Sequence, residues 1–422
     1  MADPRVVPRA EHTLSRRDID PDALKVLYRL RQYEHTAYLV GGSVRDLLLG
    51  RRPKDFDVGT SAHPSQIKKI FRNCWIIGRR FRLAHVRFGP KVIEVATFRR
   101  QLRPGEEVVQ DGVPAPDPST AEGAQLVHHD NTFGSPEEDA FRRDFTINAL
   151  FYDIATFSVI DYVNGLDDLR SGIVRSIGDP VERFQEDPVR MLRAIALAAR
   201  LDFSIDPPIL DAIRTQRQEI ARASAPRLLE EYYKILRGGQ AEKIFRALEA
   251  AGLLEVMSPE LSKSANDALW RSLAALDKYR RRFETPPESL TNAILIGSLL
   301  VPLGLTSRPP RRGEGAMTPR LGALPLARRD LEQLHHILAM QRRLFDLGTS
   351  PRAQRALAHR SAFQDAIAWL EIHGNAPDEL VGHWQQLAAN ANAPADEPTA
   401  GAPPFHRRRR RRRRRRPRSA SS

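Results

Sequence analysis

One cysteine, Cys74, is all the thiol chemistry in this chain, so no disulfide framework can hold it and a reducing compartment is expected. No apolar stretch approaches the length that spans a bilayer. The opening residues, MADPRVVPRAEHTLSRRD, lack the apolar run of a secretory signal. These absences set aside secreted, disulfide-stapled and membrane-spanning classes and lead to the expectation of a soluble, cytoplasmic protein. No internal repeat is visible, which excludes solenoids and propellers.

What is present is enough for a sizeable core: 41% of the 422 residues are hydrophobic, a length that allows two or three domains. Residues 21–34 read as a helix. The runs TAYLV, DFDVGT, CWIIG, AHVRF and KVIEVAT between 36 and 100 alternate with helical segments in the manner of strands. Residues 101–125, rich in Pro, Gly and acids, predict a mobile loop. From about 180 the periodicity is almost wholly helical, with a second break at 306–325.

Residues 41–57, GGSVRDLLLGRRPKDFD, carry the densest chemistry. Gly41 and Gly42 fall between a short strand and a helix. Glycine there lets the backbone approach a ligand, and free N–H groups at the helix start favour phosphate oxygens. Ser43 can cap the helix and donate to phosphate; the plainer reading is a tight turn with a serine cap. Asp55 and Asp57 alternate with apolar residues, which puts both carboxylates on one face of a strand. Such a pair can share Mg²⁺ ions, one activating a hydroxyl and the other steadying a leaving pyrophosphate. Alone, the two acids would read as a solvent-facing strand edge. Glycine turn, short helix and acid pair together describe a site for attack on a nucleotide α-phosphate.

This stretch resembles the signature of class II nucleotidyltransferases, the family of bacterial poly(A) polymerases and CCA-adding enzymes. Four further blocks follow in that family's order: FRRDFTINAL (141–150), DYVNGLDDL (161–169, a flexible connecting element in the family), EDPVRMLR (186–193) and PRLLEEY (226–232). The resemblance implies an α+β head with a small mixed sheet backed by helices, an all-α neck and body, and a disordered arginine-rich tail. The expected divisions are a flexible leader at 1–20, the head at 21–178, a helical neck at 179–260, a helical body at 261–390 and the tail at 391–422. It also implies Mg²⁺ on Asp55 and Asp57, and triphosphate binding by Gly41, Gly42, Ser43 and Arg45. Arg142 and Arg143 inherit ribose and phosphate contacts. Asp144 is the expected third catalytic acid, with Glu94 of KVIEVAT competing for the post; otherwise Asp144 pairs with a neighbouring arginine in its own helix.

In the EDPVRMLR block, Asp187 can accept from an exocyclic amino group while Arg190 donates to a ring nitrogen. Adenine and cytosine offer that pattern; uracil and guanine present the opposite polarity and would leave groups unpaired. Asp187 before Pro188 is also a good helix cap. IIGRRFRLAHV (76–86), with Arg79, Arg80 and Arg82, and KVIEVATFRR (91–100) resemble the poly(A) polymerase versions, although the arginines alone would pass for a solvated strand edge. The expectation is AMP transfer from ATP to RNA 3′ ends, with RNA-turnover proteins as further partners. A CCA-adding enzyme is the nearer alternative and a non-catalytic RNA-binding protein the more distant one.

Residues 401–422 contain no acid and eleven arginines, Arg407–Arg416 and Arg418. Without these eleven the formal charge of +14 falls to +3, so the body is nearly balanced and the basicity sits in an appendage. Self-repulsion predicts disorder. Such a run can condense on RNA phosphates, bind an acidic protein or simply solubilise.

Overall fold

The computed structural model describes residues 3–78, 82–100, 132–306 and 319–392. Arg79, Arg80, the 101–125 loop, most of the 306–325 break and the arginine run lie outside them. The first half is built on an eight-stranded mixed sheet in the order β1-β8-β7-β2-β3-β6-β5-β4. Its strands are β1 (Arg5–Val7), β2 (Ala37–Val40), β3 (Asp57–Thr60), β4 (Cys74–Ile77), β5 (Leu83–Phe88), β6 (Lys91–Thr97), β7 (Leu150–Asp153) and β8 (Ser158–Asp161). All pairings are antiparallel except β3 with β6.

Alternation along the strands sends Ala84, Val86, Ile93, Val95 and Val58 to one face. Helices α1 (Pro21–Gln32) and α3 (Pro64–Ile70) cover that face through Ala23, Val26, Leu27, Leu30 and Ile67. Asp20 caps α1, accepting from the amides of Asp22 and Ala23. On the opposite face a second, smaller cluster of Val40, Phe98, Ala140, Phe151 and Ile160 covers the β2-β7-β8 half. Among the described residues the β4-β5-β6 half of that face is left open, with Trp75, Ile77 and Val92 exposed.

Of residues 1–20, expected as a loose leader, the described ones, 3–20, instead join the head. β1 pairs with β8, and Val7, Leu14 and Ile19 are buried. Three residues of strand are too few to show a period in sequence. β7 and β8, fully buried, carry no alternation for the same kind of reason. Asp55 and Phe56 are a further difference: β3 begins at Asp57, opposite Val40, the last residue of β2. Beyond Val40 the partner chain turns away at Gly41, so Asp55 has no ladder to join.

After α5 (Gly165–Ser171), from α6 (Pro180–Glu186) and α7 (Val189–Leu201) onward the described residues form helices and their connections apart from a two-residue strand, Ser204–Ile205, paired with Ile173–Val174. α8 (Pro207–Gln216) and α9 (Ala225–Leu236) follow, and further helices continue to 392. No described helix is long and apolar enough to cross a membrane. In the last part, His373 ends the helix Phe363–His373, stacked against Trp369 at 4.3 Å. The Ser298 hydroxyl donates to Ile294 O and therefore accepts from His373 Nε2, which places a proton on that nitrogen. Burial pushes this imidazole down to about 4. Unfolding frees it to take a proton near its ordinary 6.5, so stability falls as the pH drops from 6.5 toward 4. Chemical denaturation at pH 7 and pH 4.5 is expected to differ by about 2 kcal/mol more in the wild type than in His373→Phe.

Candidate active site

The glycine turn is built as its residues require. Gly41 has φ +74°, a left-handed conformation costly for other residues, and its amide donates to Leu150 O at 3.1 Å. Helix α2 (Gly42–Leu48) starts immediately after it. Ser43 is buried and its hydroxyl donates to Val40 O at 2.9 Å, so it locks the strand-to-helix turn rather than pointing outward. A side chain at Gly41 would meet Arg143 Nη1 at 3.0 Å, which puts that guanidinium against the turn. Arg143 is steered there by Asp139 at 2.8 and 3.0 Å, by Asn148 O, and by the Phe151 ring at 5.3 Å. Arg45 is also buried; it is bound to Asn148 Oδ1 and to Asp46 at 2.7 and 2.8 Å, and braces the floor beneath Gly42.

Across the sheet, Val40 stands opposite Asp57, and the parallel register of Val58 with Val95 sets Asp57 beside Glu94. The turn and the acids are thus joined by the β2-β3 pairing. Burial, then Glu94, then Asp55 push the Asp57 carboxyl up to about 6, against the pull of Arg143. Asp55 is exposed with Lys54 at 3.5 Å, and Glu94 faces His85 at 3.6 Å. Among the described residues no group of three or more His, Cys, Asp or Glu forms a ready metal cage. An open divalent site, with most of its shell from water and substrate phosphates, needs only one or two carboxylates. Asp57, half-buried with Glu94 and Asp55 near enough to be felt, fits such a cation, whose charge would offset the burial and repulsion that raise it.

Asp144, expected as the third acid, is engaged elsewhere. It sits just past helix α4 (Pro136–Phe141), and its Oδ1 accepts from Phe145 N and Asn148 Nδ2. Its Oδ2 pairs with Arg193 of α7 at 2.7 Å. Burial alone would raise it, but Arg193, Asn148 and the Phe145 amide hold the carboxyl below the usual carboxylate range. The pair runs from head to neck, not along one helix. Nearby, Arg183 of α6 donates to Arg142 O at 2.7 Å and to Arg143 O at 2.5 Å, tying the same turn to the neck. Arg142 Nε lies 3.9 Å from Asp139.

Asp187 and Arg190 are both held by other residues. Arg227 of α9 clamps the Asp187 carboxylate through two bonds of 2.6 and 3.1 Å. Asp187 Oδ1 also accepts from Val189 N at 3.3 Å, but α7 begins at Val189, so Pro188 takes the cap position expected of Asp187. Arg190 donates to Glu186 at 2.8 Å and to Arg183 O at 3.0 Å. The segment after β8, flexible by resemblance, is a tied turn here: Asp161 accepts from the amides of Val163, Gly165 and Leu166. Arg193 lies in EDPVRMLR and Arg227 in PRLLEEY, and only their spatial partners, Asp144 and Asp187, give them roles. Asp139 and Arg183 lay outside any motif's chemistry.

A glycine turn over an arginine, one strand from a cluster of acids, on a mixed sheet that continues into helices, is the arrangement that the resemblance to class II nucleotidyltransferases implies. Three segments of the chain match family models of this kind. Residues 37–175 match the family described as Poly A polymerase head domain. Residues 202–264 match Probable RNA and SrmB- binding site of polymerase A, and 315–418 match Polymerase A arginine-rich C-terminus. The chain is 48% identical over 260 residues to Poly(A) polymerase I of Salmonella typhimurium, covering 61% of this chain and 54% of that one. To the CCA-adding enzyme of Lactobacillus helveticus it is 35% identical over 229 residues, covering 54% and 53%. The chain therefore spans about half the length of the curated relatives it matches. Among solved structures it resembles the Bacillus stearothermophilus CCA-adding enzyme in complex with CTP, with TM-score 0.54 and 25% identity over 88% of this chain and 83% of that one.

Proposed function

We propose that the protein extends RNA 3′ ends without a template, transferring AMP from ATP to the terminal hydroxyl and releasing pyrophosphate, in the cytoplasm and alongside RNA-turnover proteins. The observation that carries this reading is the 48% identity to Poly(A) polymerase I over 260 residues, beside the match of residues 37–175, which hold the turn and the acids, to the Poly A polymerase head domain. Asp55, Asp57 and Glu94 would hold a divalent cation, which when bound supplies positive charge to the reacting phosphate and hydroxyl. Gly41 and Gly42 give the triphosphate close access to backbone, and Arg143 lends it a cation. Asp144 serves as a buried strut beneath them. Asp187 keeps acceptor capacity beside its Arg227 clamp, because each carboxylate oxygen has two lone pairs. It can take an adenine amino group while Arg190 reaches the ring nitrogen.

The hydrogen-bond pattern rejects uracil and guanine but does not separate adenine from cytosine, so the choice of ATP rests on the relative. The arginine run, matched by the arginine-rich family, is read as an RNA tether. Labelled RNA, and a tRNA lacking its CCA end, each incubated with single nucleotides and Mg²⁺, test the reading. ATP is expected to give long ladders on generic RNA, with CTP adding few residues and UTP and GTP fewer. Addition that stops after CCA on the tRNA, with no ladder on generic RNA, would overturn it in favour of the CCA-adding alternative.

A further inference from the structure

The open half of the sheet face carries an unassigned row of side chains that runs into the acid cluster. Strand pairing sets Trp75 of β4 opposite His85 of β5, and His85 opposite Glu94 of β6, with Asp57 next in line. Residues directly opposite in a sheet share a face. Trp75 therefore lies on the same surface as the acids, three strand spacings or roughly 14 Å from Asp57. Its side chain is 54% exposed, flanked by Ile77 at 50% on its own strand. Arg87, exposed on the same face two residues from His85, is steadied by its bond to Gly89 O. An edge strand that leaves a tryptophan and an isoleucine in water is an aggregation hazard unless something uses it.

We infer that Trp75, with His85 and Arg87, forms a stacking track for the RNA segment immediately upstream of the reacting 3′-hydroxyl. The inference rests on the RNA 3′-end reading above. The track's inner end is the acid cluster where the terminal hydroxyl must sit, so the preceding nucleotides have to leave across a neighbouring surface. The β2-β7-β8 side is closed by Phe98 and Phe151, whereas the β5-β4 side is left open among the described residues. An exposed indole stacks on any base, and a guanidinium beside it suits the phosphate between bases. This is recognition without sequence preference, as suits a primer that changes with every addition.

Three of the four tryptophans, Trp270, Trp369 and Trp384, are buried, so Trp75 is the one a soluble quencher can reach. Intrinsic fluorescence of the full chain, titrated with an oligoadenylate bearing a free 3′-hydroxyl and without ATP or metal, is expected to fall. Trp75→Phe should abolish that fall while retaining most RNA binding. Trp75→Ala should raise the KM for RNA by roughly 5- to 150-fold, the loss of one stacked base, with the KM for ATP unchanged. An unchanged RNA KM in Trp75→Ala would sink the track. So would a Trp75 shielded from acrylamide before RNA is added and unresponsive after it, since another part of the chain would then occupy the face. RNA-dependent quenching at Trp75 without any AMP transfer would support the track and instead refute the proposed activity.

Discussion

Asp57→Asn is expected to lower AMP transfer by roughly three orders of magnitude while the protein becomes harder to unfold in metal-free buffer. The first effect follows from removing a carboxylate that would hold the cation, whose charge stabilisation is worth several kcal/mol, at about 1.4 kcal/mol per factor of ten. The second follows from its electrostatics. Asp57 is pushed up to about 6, so in the folded state its charge is disfavoured relative to the unfolded chain, and that penalty is fully present above pH 6. An uncharged isostere removes it, for a gain of up to about 3 kcal/mol at pH 7 to 8. Mg²⁺ should raise the melting temperature of the wild type and leave Asp57→Asn unmoved, a readout independent of catalysis. Glu94→Gln is expected to follow the same pattern, whereas Asp144→Asn should leave Mg²⁺ stabilisation intact. Near-normal transfer by Asp57→Asn would mean that the acids have been assigned to the wrong site.

Arg193→Met is expected to destabilise the protein by about 2–3 kcal/mol at neutral pH without altering the KM for ATP comparably. It removes the partner of Asp144, whose side chain is only 7% exposed, and leaves a carboxylate facing protein with two neutral donors. Arg193 itself keeps 43% exposure, so solvent moderates the loss relative to a fully buried pair. The pH dependence identifies the cause. Asp144 is held below the ordinary carboxylate range, so its pairing stabilises the fold above that range and the contribution fades as the pH falls through its lowered value. The gap between Arg193→Met and wild type should therefore be largest at neutral pH and narrow in acid. A gap that is constant with pH would point to lost packing alone. Denaturant titrations at several pH values measure it.

The contrast between Asp144 and Glu94 marks the boundary between sequence and structure. Both were candidates for the third acid, and nothing in their spacing along the chain separates them. Their surroundings differ because Asp144 follows a short helix that packs on the neck, where Arg193 reaches it. Glu94 lies on a strand whose parallel pairing with β3 brings it beside Asp57. A pairing register is a long-range property, invisible from either strand alone. The glycine turn was legible for the opposite reason: its conformation is decided within a few residues by glycine at positive φ and a serine that bonds back to Val40.

The same division runs through the whole chain. Local chemistry was enough to mark the turn, the acid pair, the helical second half, and the strands with a buried and an exposed face. The buried strands β7 and β8 and the three-residue β1 escaped notice because a strand covered on both sides, or one that short, shows no alternation. Only the tertiary structure decided that Asp55 stands outside the ladder, that Arg227 holds Asp187 and Glu186 holds Arg190, and that Trp75 is exposed on a half sheet face left open among the described residues. Those outcomes depend on which distant segments meet. Meeting is set by how the two faces of one sheet are covered, and residue identities read in order along the chain do not contain it.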